Sequence, residues 1–325
     1  MSLYEIRNLH IHFPTKRGMV QAVRGVSFDI HENECVALVG ESGCGKSVTA
    51  RSLMGLTQIT GGQCLPGSEI RYQGQNILDF NEKQWRDYRG NSAALIFQDS
   101  MTALNPTMRI GKQIAECYTF HQKINGKEAM ERAIEMLRLA GIASPEDAAR
   151  RYPHELSGGM RQRVMIASAL ACKPSLLIAD EPTTALDVTI QAQILELIGQ
   201  VKQREKAAVL LITHDMGVVA GLAQRIVIMY AGRVMETGTT DEIFYHAQHP
   251  YTKGLQKASP RLDEMRSGRL YTINGTPPEL INPAPGCPFA DRCPDATDLC
   301  RQQMPQIRQI SETHSVACHY AKEAL

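Results

Sequence analysis

The sequence predicts an α/β fold with a parallel sheet, because short apolar runs alternate with helical patterns and because a glycine-rich loop follows a buried strand. The apolar runs lie at 175–179, 208–212 and 225–230, and residues 190–201 carry apolar side chains at helical spacing. Strands that are apolar throughout and alternate with helices are typical of a parallel sheet. Another apolar run, at 36–39, leads directly into glycines. We therefore expect one parallel strand to end at this glycine-rich loop.

Length, composition and charge limit the class of protein. The chain has 325 residues, of which 43% are hydrophobic and 21% charged, and this excludes wholesale disorder and collagen-like or coiled-coil composition. Its 35 basic and 34 acidic side chains give a net charge of +1, which argues against a nucleic-acid partner. The first residues lack the apolar core of a signal peptide, and no stretch approaches the roughly 18 apolar residues of a membrane span. We expect an intracellular chain without disulfides that meets a membrane only through protein partners.

The remaining elements predict two regions of unequal size. Partly alternating apolar and polar residues at 3–13 and 20–30 indicate two half-buried strands, and the apolar positions of 127–140 lie on one face of a helix. Beyond residue 248 prolines, glycines and cysteines dominate, and the periodicity disappears. We therefore expect a first domain at 1–248 and a loop-rich extension at 249–325.

The glycine-rich loop matches a phosphate-binding pattern. Residues 40–47 read G-E-S-G-C-G-K-S and fit G-x-x-x-x-G-K-[ST] between a strand and a helix, which is the context that the pattern requires. Backbone N–H groups would converge on phosphate oxygens, Lys46 would reach the β- and γ-phosphates, and the Ser47 hydroxyl would bind Mg²⁺. The alternative, a glycine-rich turn with a surface lysine, leaves that context unexplained. The candidate nucleotide-binding residues here are Gly40, Ser42, Gly43, Cys44, Gly45, Lys46 and Ser47.

Two adjacent carboxylates follow a later strand. Residues 176–181 read L-L-I-A-D-E, which places Asp180 and Glu181 at the strand's carboxyl end. Asp180 would bind the magnesium ion through water, and Glu181 would polarise the attacking water, because phosphoryl transfer is catalysed mostly by positioning and charge stabilisation. Alone, such a pair is more often part of a solvated loop. Its occurrence with the phosphate-binding loop favours a nucleoside triphosphatase.

The segment 156–160, L-S-G-G-M, resembles the signature motif of ABC transporter ATPases. Ser157, Gly158 and Gly159 at a helix N-terminus form a second phosphate cradle. Other landmarks of that family occur in the family's order: Phe13, which matches the aromatic residue that stacks on adenine, Gln98 of the Q-loop, Ala185, Leu186 and Asp187 of the D-loop, and His214 of the switch loop. Each alone could be an ordinary cap or a satisfied polar group, but their common order favours the family.

The resemblance implies a P-loop ABC-type nucleotide-binding domain with a RecA-like core, an antiparallel β subdomain and a helical subdomain at about 101–160. It implies a head-to-tail dimer, in which one subunit holds ATP and Mg²⁺ and the partner's signature motif closes the site. Each motif occurs once, so a second ATPase subunit, identical or related, is needed. The implied roles are as follows: Lys46, Glu181 and His214 are catalytic, and Ser47, Gln98 and Asp180 bind Mg²⁺.

Residues 97–106 and 249–252 look like the group of ABC ATPases that serves dipeptide, oligopeptide and nickel uptake. Ser100, where a proline is usual, and Cys44, where serine is commoner, depart from that group. The likeness implies a peripheral subunit on the cytoplasmic face of a membrane, with two permease subunits and a substrate-binding protein. Peptide import is the leading hypothesis. The alternatives are a nickel or metallophore importer, a soluble ABC ATPase outside transport, and a cassette whose tail is a regulatory interaction module.

Four of the nine cysteines fall in the extension, at Cys287, Cys293, Cys300 and Cys318, with five, six and seventeen residues between them. Four thiols in a loop-rich intracellular segment suggest a metal whose ligation supplies folding free energy. Zinc usually uses shorter C-x₂₋₄-C spacings, whereas Cys₄ ligation also suits a [4Fe–4S] cluster. Relatives with this tail are associated with such a cluster, so we favour it over zinc and over unligated thiols. We expect a structural role, with redox sensing as the alternative.

Overall fold

A computed structural model describes residues 2–184, 187–258 and 271–321. The strands are β1 (Ser2–Thr15), β2 (Gly18–His31), β3 (Cys35–Val39), β4 (Gln63–Cys64), β5 (Glu69–Tyr72), β6 (Gln75–Asn76), β7 (Ala93–Ile96), β8 (Leu176–Asp180), β9 (Ala208–Thr213), β10 (Arg225–Tyr230), β11 (Arg233–Thr239), β12 (Arg308–Gln309) and β13 (Ser315–Val316).

The helices are α1 (Lys46–Ser52), α2 (Leu56–Ile59), α3 (Glu82–Tyr88), α4 (Ser100–Ala103), α5 (Ile110–Cys117), α6 (Gly126–Leu139), α7 (Pro145–Arg150), α8 (Gly158–Leu170), α9 (Val188–Glu205), α10 (Met216–Ala220), α11 (Thr240–Tyr245), α12 (Pro250–Ala258) and α13 (Asp298–Gln302). A π-helical turn covers Tyr118–Gln122, and 3₁₀ turns cover Ile77–Asp79, Pro153–Glu155 and Ala290–Arg292. No helix in the described part of the chain is both long and apolar enough to span a membrane.

The chain divides into two compact units. The first comprises the described residues of Met1–His31, Cys35–Leu78 and Leu211–Leu325, and the second comprises Glu32–Glu34 and Asp79–Leu210. The phosphate-binding loop and the cysteine extension therefore belong to the same unit.

The first unit contains two sheets. In one, β1 and β2 form a long antiparallel hairpin, and β5 and β6 continue the sheet beyond β1. In the other, β3 runs parallel to β10, and β10, β11, β13 and β12 follow in antiparallel order. All five residues of β3 are buried, as the apolar run predicts for a strand covered on both faces. The predicted strands at 3–13, 20–30, 36–39 and 225–230 are confirmed.

The second unit joins a parallel strand pair to a group of helices. β7 and β8 pair in parallel from Ala93 opposite Leu176 onward, and α5, α6, α7 and α8 pack on one another. The predicted helix at 127–140 is confirmed as α6, whose buried positions are Ala129, Ala133 and Leu137. The unit therefore combines α and β elements, as the alternating pattern predicts.

The expectation that periodic structure disappears beyond residue 248 is wrong for its first part. Pro250–Ala258 forms α12, with Pro250 at the first helical position, where a missing N–H costs no hydrogen bond. Tyr251, Thr252 and Leu255 are buried on one face of this helix. Further along, β13 pairs with β11, so the extension adds a strand to the sheet of β3 and β10. A two-residue strand is too short to show a sequence period, which explains why it was not predicted.

A buried carboxylate connects the extension to β11. Glu236 is completely buried and accepts hydrogen bonds from the N–H groups of Gln248 (2.6 Å) and His249 (3.0 Å). Its Oε1 also lies 2.8 Å from Nε2 of His314. The Nδ1 atom of His249 in turn accepts a bond of 3.0 Å from the N–H of Tyr251. A buried carboxylate with several partners fixes both ends of the extension, because leaving any of these groups unpaired costs free energy.

The stability of the chain should fall in mild acid because of His249. Burial, opposed in part by Glu236, lowers the pKa of His249 from 6.5 to about 4. In the unfolded chain His249 is protonated below about pH 6.5, whereas in the folded chain it is protonated only below about pH 4. The free energy of unfolding therefore decreases as the pH falls through this window. We expect His249 to lower the free energy of unfolding, measured by urea denaturation, by about 2 kcal/mol at pH ~5 relative to pH ~7.

The matched variant is His249→Asn, whose amide oxygen can accept the bond from the Tyr251 N–H without titrating. Its free energy of unfolding should change less between the two pH values than that of the natural chain. An equal change in both chains would assign the acid sensitivity to other groups.

Candidate functional site

The phosphate-binding loop connects β3 to α1 in the first unit, in the strand-loop-helix context that the sequence predicts. Gly40 lies so close to β10 that a Cβ there would be 2.1 Å from the carbonyl oxygen of Met229. Gly45 has φ of +102°, and a Cβ there would be 2.5 Å from the carbonyl oxygen of Ala22. Both positions therefore require glycine, which lets the loop turn tightly at the start of α1.

Lys46 is 4% exposed and lies inside this loop. Its Nζ donates to the carbonyl oxygens of Gly40 (2.6 Å) and Glu41 (3.0 Å). Ser47 follows in the first turn of α1 and is half-buried, whereas Ser42 and Gly43 are exposed. The ammonium group is thus held at the loop by neutral carbonyl oxygens. A phosphate oxygen can replace them, because its charge-assisted hydrogen bond to the ammonium group is stronger.

Cys44 lies on the inner side of the same loop. Its side chain is 4% exposed, and its Sγ is 3.8 Å from Nζ of Lys46. Burial raises the pKa of the Cys44 thiol above its ordinary value, although Lys46 acts in the opposite direction. The thiol is therefore protonated at neutral pH and a poor nucleophile.

Phe13 and His214 belong to the first unit as well. Phe13 is half-buried on β1, opposite Val20, and a Cβ at Gly62 would lie 2.8 Å from its ring. His214 is exposed directly after β9, and the next residue, Asp215, caps α10 by accepting from the N–H of Gly217 (2.8 Å). The predicted adenine-stacking and switch-loop residues are therefore both at the surface of this unit.

The predicted carboxylates stand at the end of β8 in the second unit. Asp180 is 1% exposed, and the next residue, Glu181, has φ of +47°, a left-handed conformation that is strained for glutamate. Oε2 of Glu181 accepts from Nε2 of Gln98 (2.7 Å) and from Oγ1 of Thr184 (3.0 Å). The structure thus brings Gln98 and Glu181 together. Thr184 is a contact that sequence reasoning missed.

The signature residues begin α8 in the second unit. Ser157 caps the helix, with Oγ accepting from the N–H of Met160 (3.3 Å), and Ser157 and Gly158 are exposed while Gly159 is half-buried. Gln162, one turn further along, is buried and donates through Nε2 to the carbonyl oxygen of Pro182 (2.7 Å). This bond joins the signature helix to the loop that carries Glu181, and no motif pointed to it.

The D-loop is described only in part. Ala185 and Leu186 lie outside the described residues. Asp187 caps α9 by accepting from the N–H of Ile190 (2.9 Å). Asp187 therefore caps a helix in this structure, and its place in the D-loop motif stays a prediction.

The four cysteines of the extension surround one cavity of about 410 Å³ in the first unit. Its wall also includes Phe289, Pro305 and His319, and the N–H of Cys287 donates to the carbonyl oxygen of Cys300 (2.7 Å). In the described ranges, no three His, Cys, Asp or Glu side chains are arranged to hold a single metal ion. The four cysteines therefore share a cavity.

Burial in this part of the chain raises the pKa values of three thiols that line the cavity. Burial raises the pKa of Cys287 to about 11, and a negative charge on any of the other three cysteines would raise it as well. Burial likewise raises the pKa values of Cys293 and Cys318. Without a cation Cys287, Cys293 and Cys318 are protonated at neutral pH, so a metal or cluster that binds them as thiolates must release protons.

Comparison with known proteins identifies two matching families. Residues 23–184 match the family described as ABC transporter, and residues 235–300 match the family described as oligopeptide/dipeptide transporter, C-terminal region. The second match covers three of the four tail cysteines, Cys287, Cys293 and Cys300.

Several curated proteins are similar over nearly the whole chain. The dipeptide transport ATP-binding protein DppD of Bacillus subtilis (strain 168) is 50% identical over 313 residues, which are 96% of this chain and 93% of that protein. The oligopeptide transport ATP-binding protein OppD of the same organism is 50% identical over 97% of this chain and 87% of its own length. OppD of Salmonella typhimurium is 44% identical over 99% of this chain and 95% of its own length.

Solved structures support the fold. A dimeric, post-hydrolysis structure of the ATP-binding cassette MJ0796, bound to ADP and Pi, superposes with a TM-score of 0.66 at 26% identity. It covers 73% of this chain and 98% of that chain. The structure of cbiO1 from Clostridium perfringens, part of the ABC transporter complex cbiONQ, gives a TM-score of 0.62 at 25% identity, over 75% of this chain and 90% of that chain.

Alkylation of Cys44 should be slow, because its thiol is buried and its raised pKa keeps it protonated. We expect the rate of labelling by a maleimide to keep increasing with pH above pH 9.0, where the rate for an ordinary thiol levels off. ATP bound at the loop should lower the labelling rate at every pH. Peptide mass mapping of Cys44 over time measures this. The Cys44→Ser chain identifies the signal from this thiol. Rapid labelling at neutral pH, unaffected by ATP, would contradict the buried position.

Proposed function

The chain belongs to the ABC transporter family, in the group of dipeptide and oligopeptide import subunits, and we propose on this premise how its residues use ATP to drive uptake. It is an ATP-hydrolysing subunit of a peptide importer. Peptides would pass through separate permease subunits after delivery by a substrate-binding protein. The main support for this function is that relatives 50% identical to this chain are named for dipeptide or oligopeptide transport.

We assign the binding of ATP to the first unit's loop. The backbone of residues 40–47 would bind the triphosphate, with Gly40, Ser42, Gly43, Cys44 and Gly45 contributing main-chain groups. Lys46 would exchange its two carbonyl acceptors for phosphate oxygens. Phe13 would stack on adenine, to which its partly exposed ring is suited.

The oxygen donors of Ser47, Gln98 and Asp180 fit Mg²⁺, which prefers hydroxyl, amide carbonyl and carboxylate ligands. When bound, the ion would neutralise charge that develops on the phosphates. Gln98 donates through Nε2 to Glu181, so its amide oxygen points elsewhere and is the atom that would serve as ligand. The chemistry of the donor set supports this assignment.

We assign activation of water to Glu181. Its carboxylate is oriented by Gln98 and Thr184, both of which donate to Oε2, and its left-handed backbone aims the side chain from the end of β8. A carboxylate in this position would accept a proton from the attacking water, and His214 would stabilise the charge on the leaving phosphate. The signature motif of a second ATPase subunit, which we expect to be a related chain, would close the site in trans, and Ser157, Gly158 and Gly159 of this chain would close the site of that subunit.

We propose that the subunit lies on the cytoplasmic face of the membrane and that the permeases hold it there. Residues 97–106 would contact them, and Phe97 in this segment is 40% exposed. Residues 1–248 would act as the ATPase and 249–325 as the extension. Nickel or a metallophore is the nearest alternative cargo. The match of residues 235–300 to the peptide transporter family disfavours a soluble ABC ATPase that acts outside transport.

The replacement Glu181→Gln should leave ATP binding intact and reduce hydrolysis in the assembled transporter by about 10²- to 10⁴-fold, because an amide cannot take the proton from water. Phosphate release measures turnover, and titration with a fluorescent ATP analogue measures affinity. Glu196→Gln, a change at an exposed glutamate on α9, is the control and should hydrolyse normally. Unchanged turnover in Glu181→Gln would remove Glu181 from this role.

We also propose that Cys287, Cys293, Cys300 and Cys318 hold a [4Fe–4S] cluster. One observation supports it: the four thiols line one cavity of about 410 Å³. Ligation by four cysteines suits such a cluster. Zinc remains the alternative metal.

Analysis of the anaerobically purified chain should find about four iron and four acid-labile sulfide per chain and little zinc. Cys287→Ala should lose most of both, because a cavity thiol is removed. Cys64→Ala is the matched control, since Cys64 is half-buried outside the extension. Stoichiometric zinc without iron would replace the cluster by the zinc alternative, and absence of both metals would favour unligated thiols.

A further inference from the structure

Glu41, the second residue of the phosphate-binding loop, is held through each of its polar groups. Its N–H donates to the hydroxyl oxygen of Tyr251 (2.8 Å), and its carbonyl oxygen accepts from Nζ of Lys46 (3.0 Å). Its carboxylate accepts from both terminal nitrogens of Arg292, at 2.6 Å and 2.9 Å. Two of these three partners, Tyr251 and Arg292, come from the extension.

Arg292 is buried, with 6% of its side chain exposed, whereas the Glu41 side chain is 25% exposed. Besides pairing with Glu41, the guanidinium donates to the hydroxyl oxygen of Tyr230 (3.0 Å) and to the carbonyl oxygens of Ile273 (3.2 Å) and Asn274 (2.9 Å). Its centre lies 5.6 Å and 5.8 Å from the ring centroids of Tyr230 and Phe289. The bonds to Glu41 are the first cause of the raised pKa of Arg292. The guanidinium therefore stays charged, and hydrogen bonds to four residues hold it in place.

Arg292 is also part of the cysteine site's framework. A hydrogen-bonded turn runs from Cys287 to Cys293, in which Ala290 donates to Cys287 (3.0 Å), Arg292 to Phe289 (3.0 Å) and Cys293 to Ala290 (3.3 Å). The backbone position of Arg292 is thus set by the two cysteines that bound the turn. Whatever fixes those cysteines also fixes the guanidinium against Glu41.

We propose that Arg292 is a positioning residue of the ATP site, which holds and neutralises Glu41 and thereby couples nucleotide binding to occupancy of the cysteine cavity. An unpaired carboxylate on this loop would repel a triphosphate, and a bidentate arginine removes that charge while restricting the loop. By linkage, a group that stabilises the turn at 287–293 strengthens ATP binding, and ATP strengthens retention of that group by the same factor. The second half of this proposal rests on the cluster proposed above.

The first test is a double-mutant cycle on Arg292 and Glu41, read as the dissociation constant for a non-hydrolysable ATP analogue with Mg²⁺. We expect Arg292→Ala to weaken binding about tenfold, within the range typical of coupled sites. Its deficit should shrink as salt is raised, because the released carboxylate repels the phosphates through a screened interaction. The double variant Glu41→Gln with Arg292→Ala should recover most of the affinity, because no charge is left to repel. Arg292→Lys should lie between, because lysine supplies charge without the bidentate fork.

The matched control is Arg17→Ala. Arg17 pairs with Glu279 of the extension through two contacts of 3.1 Å and 3.3 Å, but both side chains are exposed and neither belongs to the loop. Its ATP affinity should match that of the natural chain. An unchanged affinity in Arg292→Ala overturns the proposal. A loss that salt and Glu41→Gln leave untouched also overturns it, since Arg292 would then act only by holding the extension folded.

The second test follows release of iron to a chelator from the purified chain, with and without the ATP analogue. The analogue should slow release in the natural chain and in Arg17→Ala by several-fold, but not in Arg292→Ala. Equal rates with and without the analogue in the natural chain would overturn the coupling. If the chain as purified holds neither iron nor sulfide, the cluster proposal fails by itself, and the affinity cycle still decides the role of Arg292.

Discussion

The backbone of the phosphate-binding loop is the constraint on which the rest of the arrangement depends. To bring N–H groups toward one point it must pass within van der Waals distance of neighbouring strands, as the approach of Gly40 to Met229 shows. β3 is completely buried and pairs in parallel with β10, the strand that carries Met229, so this pairing brings the start of the loop close to Met229. A loop bent this tightly loses conformational entropy, so other contacts must compensate.

The compensation comes from chain segments far away in sequence. Lys46 ties the loop to itself, and Tyr251 and Arg292 tie Glu41 to the extension. The extension is in turn fixed to β11 by the completely buried Glu236, which binds residues near both of its ends. A segment that the composition presents as a loop-rich addition therefore supports the loop that is predicted to bind nucleotide.

In the second unit, side-chain hydrogen bonds hold the loop that carries Glu181. There a strained backbone, at Glu181, is held by side-chain hydrogen bonds from Gln98 and Thr184, and Gln162 joins the same loop to the signature helix. Strain at a functional residue persists when its surroundings leave it no alternative. The carboxylate, the Q-loop amide and the signature helix thus form one connected set of contacts within this unit.

The sequence by itself determined the strands and helices that carry the motifs, because burial on both faces gives continuous apolar runs and amphipathic helices have a clear period. It also determined the motif residues, since Lys46, Ser157 and Asp180 belong to short patterns whose spacing carries the chemistry. The pairing of Glu41 with Arg292, the anchoring by Glu236 and the shared cavity of the four cysteines were decided only by the tertiary structure. These contacts join residues far apart in the chain, and no local period or spacing records which distant groups will meet.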